Sequence, residues 1–218
     1  MNLLEIFNSL SKHSKKWDSY IRHYEFHLSK YIGKSPKLLE IGIGGGGSLE
    51  MWVKYFGEGS KVFGVDLDPD YVNYDYGNLK IRQTLGDQNN SGFWNEFIND
   101  NGNFDIIIDD GSHDSGHQIT SLVSLFPYLN IDGTYIVEDT HTCYSENWGG
   151  GFQKDGTFIE ISKGLIDFLH LQFINNISPS NELINIFFGL ESITYYNSMV
   201  VLTKNLVDNI VPIENTIV

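Results

Sequence analysis

Cysteine is almost absent. Cys143 is the only one in 218 residues, so no intrachain disulfide can form and a reducing compartment is expected. Positive charge is scarce as well. Fourteen Lys and Arg face 28 Asp and Glu, a formal net charge of −14. That balance argues against gripping a nucleic-acid phosphate backbone, which needs a basic face, and against an anionic membrane surface. No apolar run approaches membrane-spanning length, and the N-terminus has no long apolar targeting stretch. A soluble cytoplasmic protein is expected. Repeats and low-complexity tracts are lacking too. What is present, 41% hydrophobic and 14% aromatic residues, suffices for one domain with a full core and a small extension.

The richest stretch is Leu38-Leu39-Glu40-Ile41-Gly42-Ile43-Gly44-Gly45-Gly46-Gly47-Ser48. A short apolar run ends in glycines, and Leu49, Met51, Trp52, Val53, Tyr55 and Phe56 then follow an amphipathic pattern. The order reads strand, tight turn, helix. Glycines let a ligand approach bare backbone, and the helix start offers unpaired N–H groups. Two spacings coexist. Gly42, Gly44 and Gly47 fit the dinucleotide pattern G-x-G-x-x-G. Gly42, Gly44 and Gly46, with Glu40 upstream, fit E-x-G-x-G-x-G, the pattern of S-adenosylmethionine (SAM) methyltransferases. The glycines alone do not choose between them.

Taken in order, residues 2–32 read as a helical arm, with Trp17, Tyr20, Tyr24 and Tyr31 on one face. The plain expectation is packing on the main domain; the sharper one is a lid with a tyrosine hydroxyl, such as that of Tyr24, on the ligand. Strands are expected near 37–41, 61–66, 79–85, 104–109 and 133–139, with helices between them. After a glycine-rich loop, 147–156, comes a helix over 158–173. Two apolar strands, 183–188 and 193–203, then form an antiparallel hairpin. The fold class expected is α/β: a Rossmann-like, seven-stranded, mostly parallel sheet with an antiparallel C-terminal hairpin. The expected division is an arm over 1–34 and a main domain over 35–218.

Ligands of such sheets bind at the carboxyl ends of the strands. Asp66 ends the second strand where a carboxylate can accept both ribose hydroxyls. Asp87 and Gln88 end the third and can meet an adenine edge. Asp109-Asp110 and Glu138-Asp139 end the next two. Four crowded carboxylates raise one another's pKa unless a cation sits between them. A divalent ion with oxygen ligands, Mg²⁺ or Mn²⁺, answers that need. Asp110, Glu138 and Asp139 are the expected ligands, leaving Asp109 to hold cofactor or backbone. His113, nearest the acid pair, is the expected general base ahead of His117. His141 and Cys143 raise a zinc reading, weakened by the single cysteine. Trp148, Gly149-Gly150-Gly151 and Phe152 are expected to close over the acceptor.

With Gly45-Gly46-Gly47-Ser48-Leu49-Glu50-Met51-Trp52, Gly86-Asp87-Gln88, Ile107-Ile108-Asp109-Asp110-Gly111-Ser112-His113 and Val137-Glu138-Asp139-Thr140-His141-Thr142, the chain resembles a known family. These are the class I, SAM- and magnesium-dependent sugar O-methyltransferases of macrolide and related pathways. The resemblance runs from about Lys16 to Asp167. It implies Mg²⁺ on Asp110, Glu138 and Asp139, His113 as base, and SAM on the turn (Glu40, Gly42, Gly44, Ser48) and on Asp66, Asp87 and Gln88. It implies a sugar or glycoside acceptor. A catechol or other diol, and a non-catalytic SAM-binding module, are the rival readings. The macrolide enzymes carry a further N-terminal domain that helps build their oligomer, so acceptor identity and any homo-oligomer do not transfer from the resemblance.

Overall fold

Apolar residues stand side by side in the expected strands, so both faces of each strand must be covered. The computed structural model describes residues 2–174 and 182–206; the rest of the expected main domain lies outside them. Its elements are α1 (Leu3–Asn8), α2 (Asp18–Leu28), β1 (Lys37–Ile41), α3 (Gly47–Phe56), β2 (Lys61–Asp66), β3 (Ile81–Leu85), α4 (Ser91–Asn101), β4 (Phe104–Asp109), α5 (Ser115–Leu125), β5 (Leu129–Val137), α6 (Phe158–Gly164), α7 (Glu182–Ile186), β6 (Leu190–Tyr196) and β7 (Met199–Lys204). The sheet order is β3-β2-β1-β4-β5-β7-β6. Pairs among β1 to β5 are parallel, whereas β7 runs antiparallel to both β5 and β6. The expected fold class is therefore the observed one.

The two faces carry separate cores. Leu39, Ile107, Val137 and Leu202 pack with Trp94, Phe97 and Leu122 on one side. Their chain neighbours Leu38, Ile106, Ile108, Ile136 and Val201 pack with Trp52 and Phe56 on the other. The second core also takes in Tyr20, Tyr24 and Leu28 of α2. Full burial of such a side chain contributes about 1.5–3 kcal/mol. The arm is thus fastened by the same hydrophobic contacts that hold the sheet.

Three local expectations are corrected. Residues 2–32 are not one helix: Ser11 to Lys16 form no helix and cross the glycine turn, where His13 bridges to Gly46. The segment expected as the strand 183–188 instead contains the short helix α7. A run such as Leu183-Ile184-Asn185-Ile186-Phe187 has no period that separates strand from helix. The expected single strand 193–203 is itself the hairpin, with Asn197 and Ser198 as its two-residue turn and Tyr196 paired to Met199. Ser198 sits at φ 67°. Asn-Ser is a weaker turn signal than Asn-Gly, which hid the reversal.

Candidate active site

Register builds the site. Ile41 is paired with Val65 and with Asp109, and Asp109 with Val137. The next residues, Gly42, Asp66, Asp110 and Glu138, therefore lie at one level of the sheet edge, with Asp66 still paired to Leu85 of β3. The ladder carries one bond further there, from Gly42 N to Val65 O (2.8 Å), Asp110 N to Ile41 O (2.9 Å) and Glu138 N to Asp109 O (2.8 Å). The strand order also reverses between β1 and β4, which opens a crevice at that edge.

Gly42 has φ 89°, and a Cβ there would run into the Asp110 carbonyl. Only glycine lets β1 turn so close to β4. Asp66 Oδ2 accepts from Ile43 N (2.8 Å) and Gly44 N (3.2 Å), so this carboxylate orders the turn from below. Tyr74 and Tyr76 donate to Gly44 O and Gly46 O at 2.7 and 2.8 Å. From above, His13 O accepts from Gly47 N at 2.9 Å. Ser48 lies in the first turn of α3, against the cavity.

That cavity, about 630 Å³, brings together the turn, Asp66, Asp110, Glu138, Asp139, His113, Trp17, Tyr20, His141 and Trp148. A smaller one, about 240 Å³, lies between Asp66, Asp87, Gln88, Ser112 and His117. Asp109 is fully buried behind them. Gln88 Nε2 donates to Asp109 Oδ1 at 2.6 Å, and Gln88 Oε1 accepts from Ser112 N at 3.0 Å. Burial pushes the Asp109 carboxyl up to about 7. Asp109 thus ties Gln88 to the loop that carries His113. His117 faces Ser112, at 2.8 Å, and lines the smaller cavity. Cys143 is buried, and its sulfur lies 3.4 Å from the Ser115 hydroxyl.

At the acidic end the structure brings in a residue that sequence reasoning missed. Lys16, with its side chain 2% exposed, places its ammonium 2.6 Å from Asp110 Oδ2, 3.0 Å from Glu138 Oε2 and 3.3 Å from Glu40 Oε1. Burial alone pulls its pKa down, but Asp110, Glu138 and Glu40 outweigh burial and hold it well above the usual lysine value. Glu40 also accepts from the Trp52 indole at 3.1 Å. Tyr24, fully buried, donates to Glu138 Oε1. Burial, then the Asp110 charge, raises Glu138 well above the ordinary carboxyl value. No periodicity could reveal Lys16, because a helical reading of the arm points it elsewhere.

Asp139 stands apart from that knot, at φ 52°. Its Oδ1 accepts from Trp17 Nε1 and Tyr20 OH, each at 2.9 Å. His113, also left-handed at φ 59°, holds Nε2 3.5 Å from Asp139 Oδ2. Such backbone strain gathers where a side chain must be aimed. Ligand atoms of Asp110, His113 and Asp139 lie within 4.8 Å of one another. Three carboxylates, Glu40, Asp110 and Glu138, share one ammonium, and Asp139 adds a fourth negative charge. Hard oxygen donors with uncompensated charge suit a divalent cation. His141 donates to or accepts from Ser198 Oγ at 2.6 Å and borders a further cavity of about 390 Å³ with Tyr144, Tyr195, Tyr196 and Lys163.

A parallel sheet with this order, an antiparallel terminal hairpin and a glycine turn at its reversal point is the class I methyltransferase fold. By sequence the chain is similar to several O-methyltransferases. It is 38% identical over 167 residues to the 8-demethyl-8-(2-methoxy-alpha-L-rhamnosyl)-tetracenomycin-C 3'-O-methyltransferase of Streptomyces olivaceus, covering 72% of this chain and 42% of that enzyme. It is 38% identical over 161 residues to the mycinamicin VI 2''-O-methyltransferase of Micromonospora griseorubida, covering 69% and 39%. The chain thus spans about two fifths of the length of these curated relatives. The solved MycE methyltransferase of the mycinamycin pathway, in complex with Mg and SAH, superposes with a TM-score of 0.81 at 30% identity, over 96% of this chain and 56% of that one. No family model matches the chain. Among the described residues no helix is long and apolar enough to cross a membrane.

Proposed function

We propose that the chain is a SAM-dependent O-methyltransferase that transfers a methyl group to a hydroxyl of a sugar or glycosylated small molecule. The observation that carries this reading is the single cavity in which the glycine turn and Asp66 face Asp110, Asp139 and His113. The activities of the similar enzymes and the MycE complexes with Mg and SAH support it. A reducing cytoplasm fits the single buried thiol.

In this reading the turn, with Gly42, Gly44 and Ser48, takes the amino-acid end of SAM, and Glu40, buried behind it, acts through Lys16 and Trp52. Asp66 faces its ribose, and Asp87 with Gln88 its base. Asp109 acts through Gln88 and the backbone, and Tyr24 through Glu138. Asp110, Glu138 and Asp139 would hold Mg²⁺, with Mn²⁺ meeting the same oxygen chemistry. When bound, SAM supplies an electrophilic methyl group and Mg²⁺ supplies the Lewis-acid charge that lowers a hydroxyl pKa. His113 removes the acceptor proton at Nε2, the ring nitrogen on the Asp139 side. Tyr20 and Trp17 steady Asp139. Trp148, whose ring is 6.0 Å from that of His113, walls the cavity on the acceptor side. The cavity beyond His141 has room and aromatic walls for the remainder of a glycoside. Alignment of the hydroxyl with the methyl is the main contribution of such a site.

The test is calorimetric titration of SAM and, separately, NADH, with and without Mg²⁺, followed by methyl transfer to a panel of glycosides bearing vicinal hydroxyls. SAM heat without NADH heat is expected. His113→Ala is expected to lower turnover about 10²–10⁴-fold with SAM affinity retained. NADH binding in place of SAM overturns the reading, and turnover indifferent to His113 removes its assigned base.

A further inference from the structure

Lys16 stands where the proposed metal chemistry needs a cation, and this inference rests on that reading. Its ammonium bonds to Glu40 Oε1, Asp110 Oδ2 and both oxygens of Glu138. Those four contacts share its three hydrogens. Glu138 is engaged at both oxygens, because Oε1 also receives the Tyr24 hydroxyl. Glu138 is itself 1% exposed. Both of its oxygens are thus already engaged within the knot. A divalent ion sits about 2.1 Å from its oxygens, closer than any of these contacts, and an ammonium among the same oxygens repels it.

We propose that the Lys16 ammonium is a built-in competitor of the divalent ion: it holds the cation position between Asp110 and Glu138, and metal binding there withdraws it. Lys16 is carried by the stretch that crosses the cofactor turn. Ser11 N and Oγ donate to Glu50 of α3 at 3.1 and 2.7 Å, and His13 O accepts from Gly47 N. The same backbone covers Gly45 and Gly47. Both glycines lie so close to the His13 backbone that a Cβ on either would clash with it. Residues 11–16 thus touch both the proposed metal site and the cofactor turn.

Two measurements test this, neither of them an activity. Mn²⁺ affinity is read by electron paramagnetic resonance for the wild-type chain and for Lys16→Met, which keeps the aliphatic stem and drops the charge. Lys16→Met is expected to bind Mn²⁺ about tenfold tighter or more, the effect of removing one unit charge a few ångströms from the ion. In the unmodified chain, amine acetylation mapped by peptide mass spectrometry is expected to spare Lys16 and to reach it once Mn²⁺ saturates the protein, with exposed Lys15 as internal control. Equal or weaker Mn²⁺ binding by Lys16→Met overturns the inference. So does Lys16 labelling that ignores saturating Mn²⁺, and this second readout decides alone if the variant does not fold. Absence of Mn²⁺ binding in both chains overturns the metal reading as well, which separates the two failures.

Discussion

Gly42 and Asp139 show how much single backbone positions decide here. Both sit one or two residues beyond a strand end, and both have positive φ. Gly42 needs that conformation because β1 must turn under the Asp110 carbonyl. An alanine there meets backbone on one side and the left-handed penalty on the other. Gly42→Ala is expected to cost about 1–3 kcal/mol in chemical denaturation and to abolish measurable SAM heat. A variant as stable as the wild type would show that the turn can move away from β4. Asp139 is held differently, by Tyr20 and Trp17 from the arm. Burial raises the Tyr20 phenol far above its usual range, so it stays a donor.

At the scale of elements, α2 and the β6–β7 hairpin meet through imidazoles. His23 stacks on Tyr196 with ring centroids 3.7 Å apart, and His27 Nε2 lies 2.9 Å from Tyr196 OH. Burial lowers both histidines below their ordinary value, His27 further through His23. A base with a lowered folded pKa binds fewer protons folded than unfolded. Its stability contribution is therefore present above the unfolded value, near 6.5, and is lost as the pH falls below it. Hydrogen-exchange protection factors at α2 and the hairpin, corrected for the intrinsic pH dependence of exchange, are expected to fall as the pH drops from about 7 to about 5.5. His23→Gln with His27→Gln should flatten that response. An unchanged slope in the double variant would assign the acid sensitivity to other groups. The hairpin matters to the site because the carbonyl of Ser198, in its turn, lies 2.7 Å from the Tyr20 hydroxyl and shares that hydroxyl with Asp139.

Across the whole molecule, the arm and the sheet share one of the two cores. Tyr20, Tyr24 and Leu28 lie with Leu38, Ile106, Ile136 and Val201, and Tyr31 OH donates to Asp132 O at 2.7 Å near the start of β5. Shared burial makes unfolding cooperative. Thermal melts followed by far-ultraviolet circular dichroism and by tryptophan fluorescence are expected to coincide. An early fluorescence step, reporting Trp17 and Trp52 ahead of the sheet, would mean that the arm detaches as its own unit. The net charge of −14 adds self-repulsion, so added salt should raise the midpoint.

Strand existence, sheet class and the residues that close each strand were legible in the sequence, because apolar runs and glycines act locally. Val62 to Asp66, Phe104 to Asp110 and the Gly42–Gly47 turn declare themselves through backbone preference and burial alone. Only the tertiary structure decided that Gly42, Asp66, Asp110 and Glu138 meet at one level of the sheet edge, since interstrand register brings together residues far apart in the chain. It alone put Lys16 among the carboxylates. A lysine that is solvated in any local reading becomes a buried ion-pair partner only when residues 11–16 cross the glycine turn, and that crossing is set by packing of α1 and α2 on α3. Leu183 to Phe188 and the reversal at Asn197-Ser198 were decided in the same way. Their apolar patterns satisfy more than one local structure, and the neighbouring core selects between them.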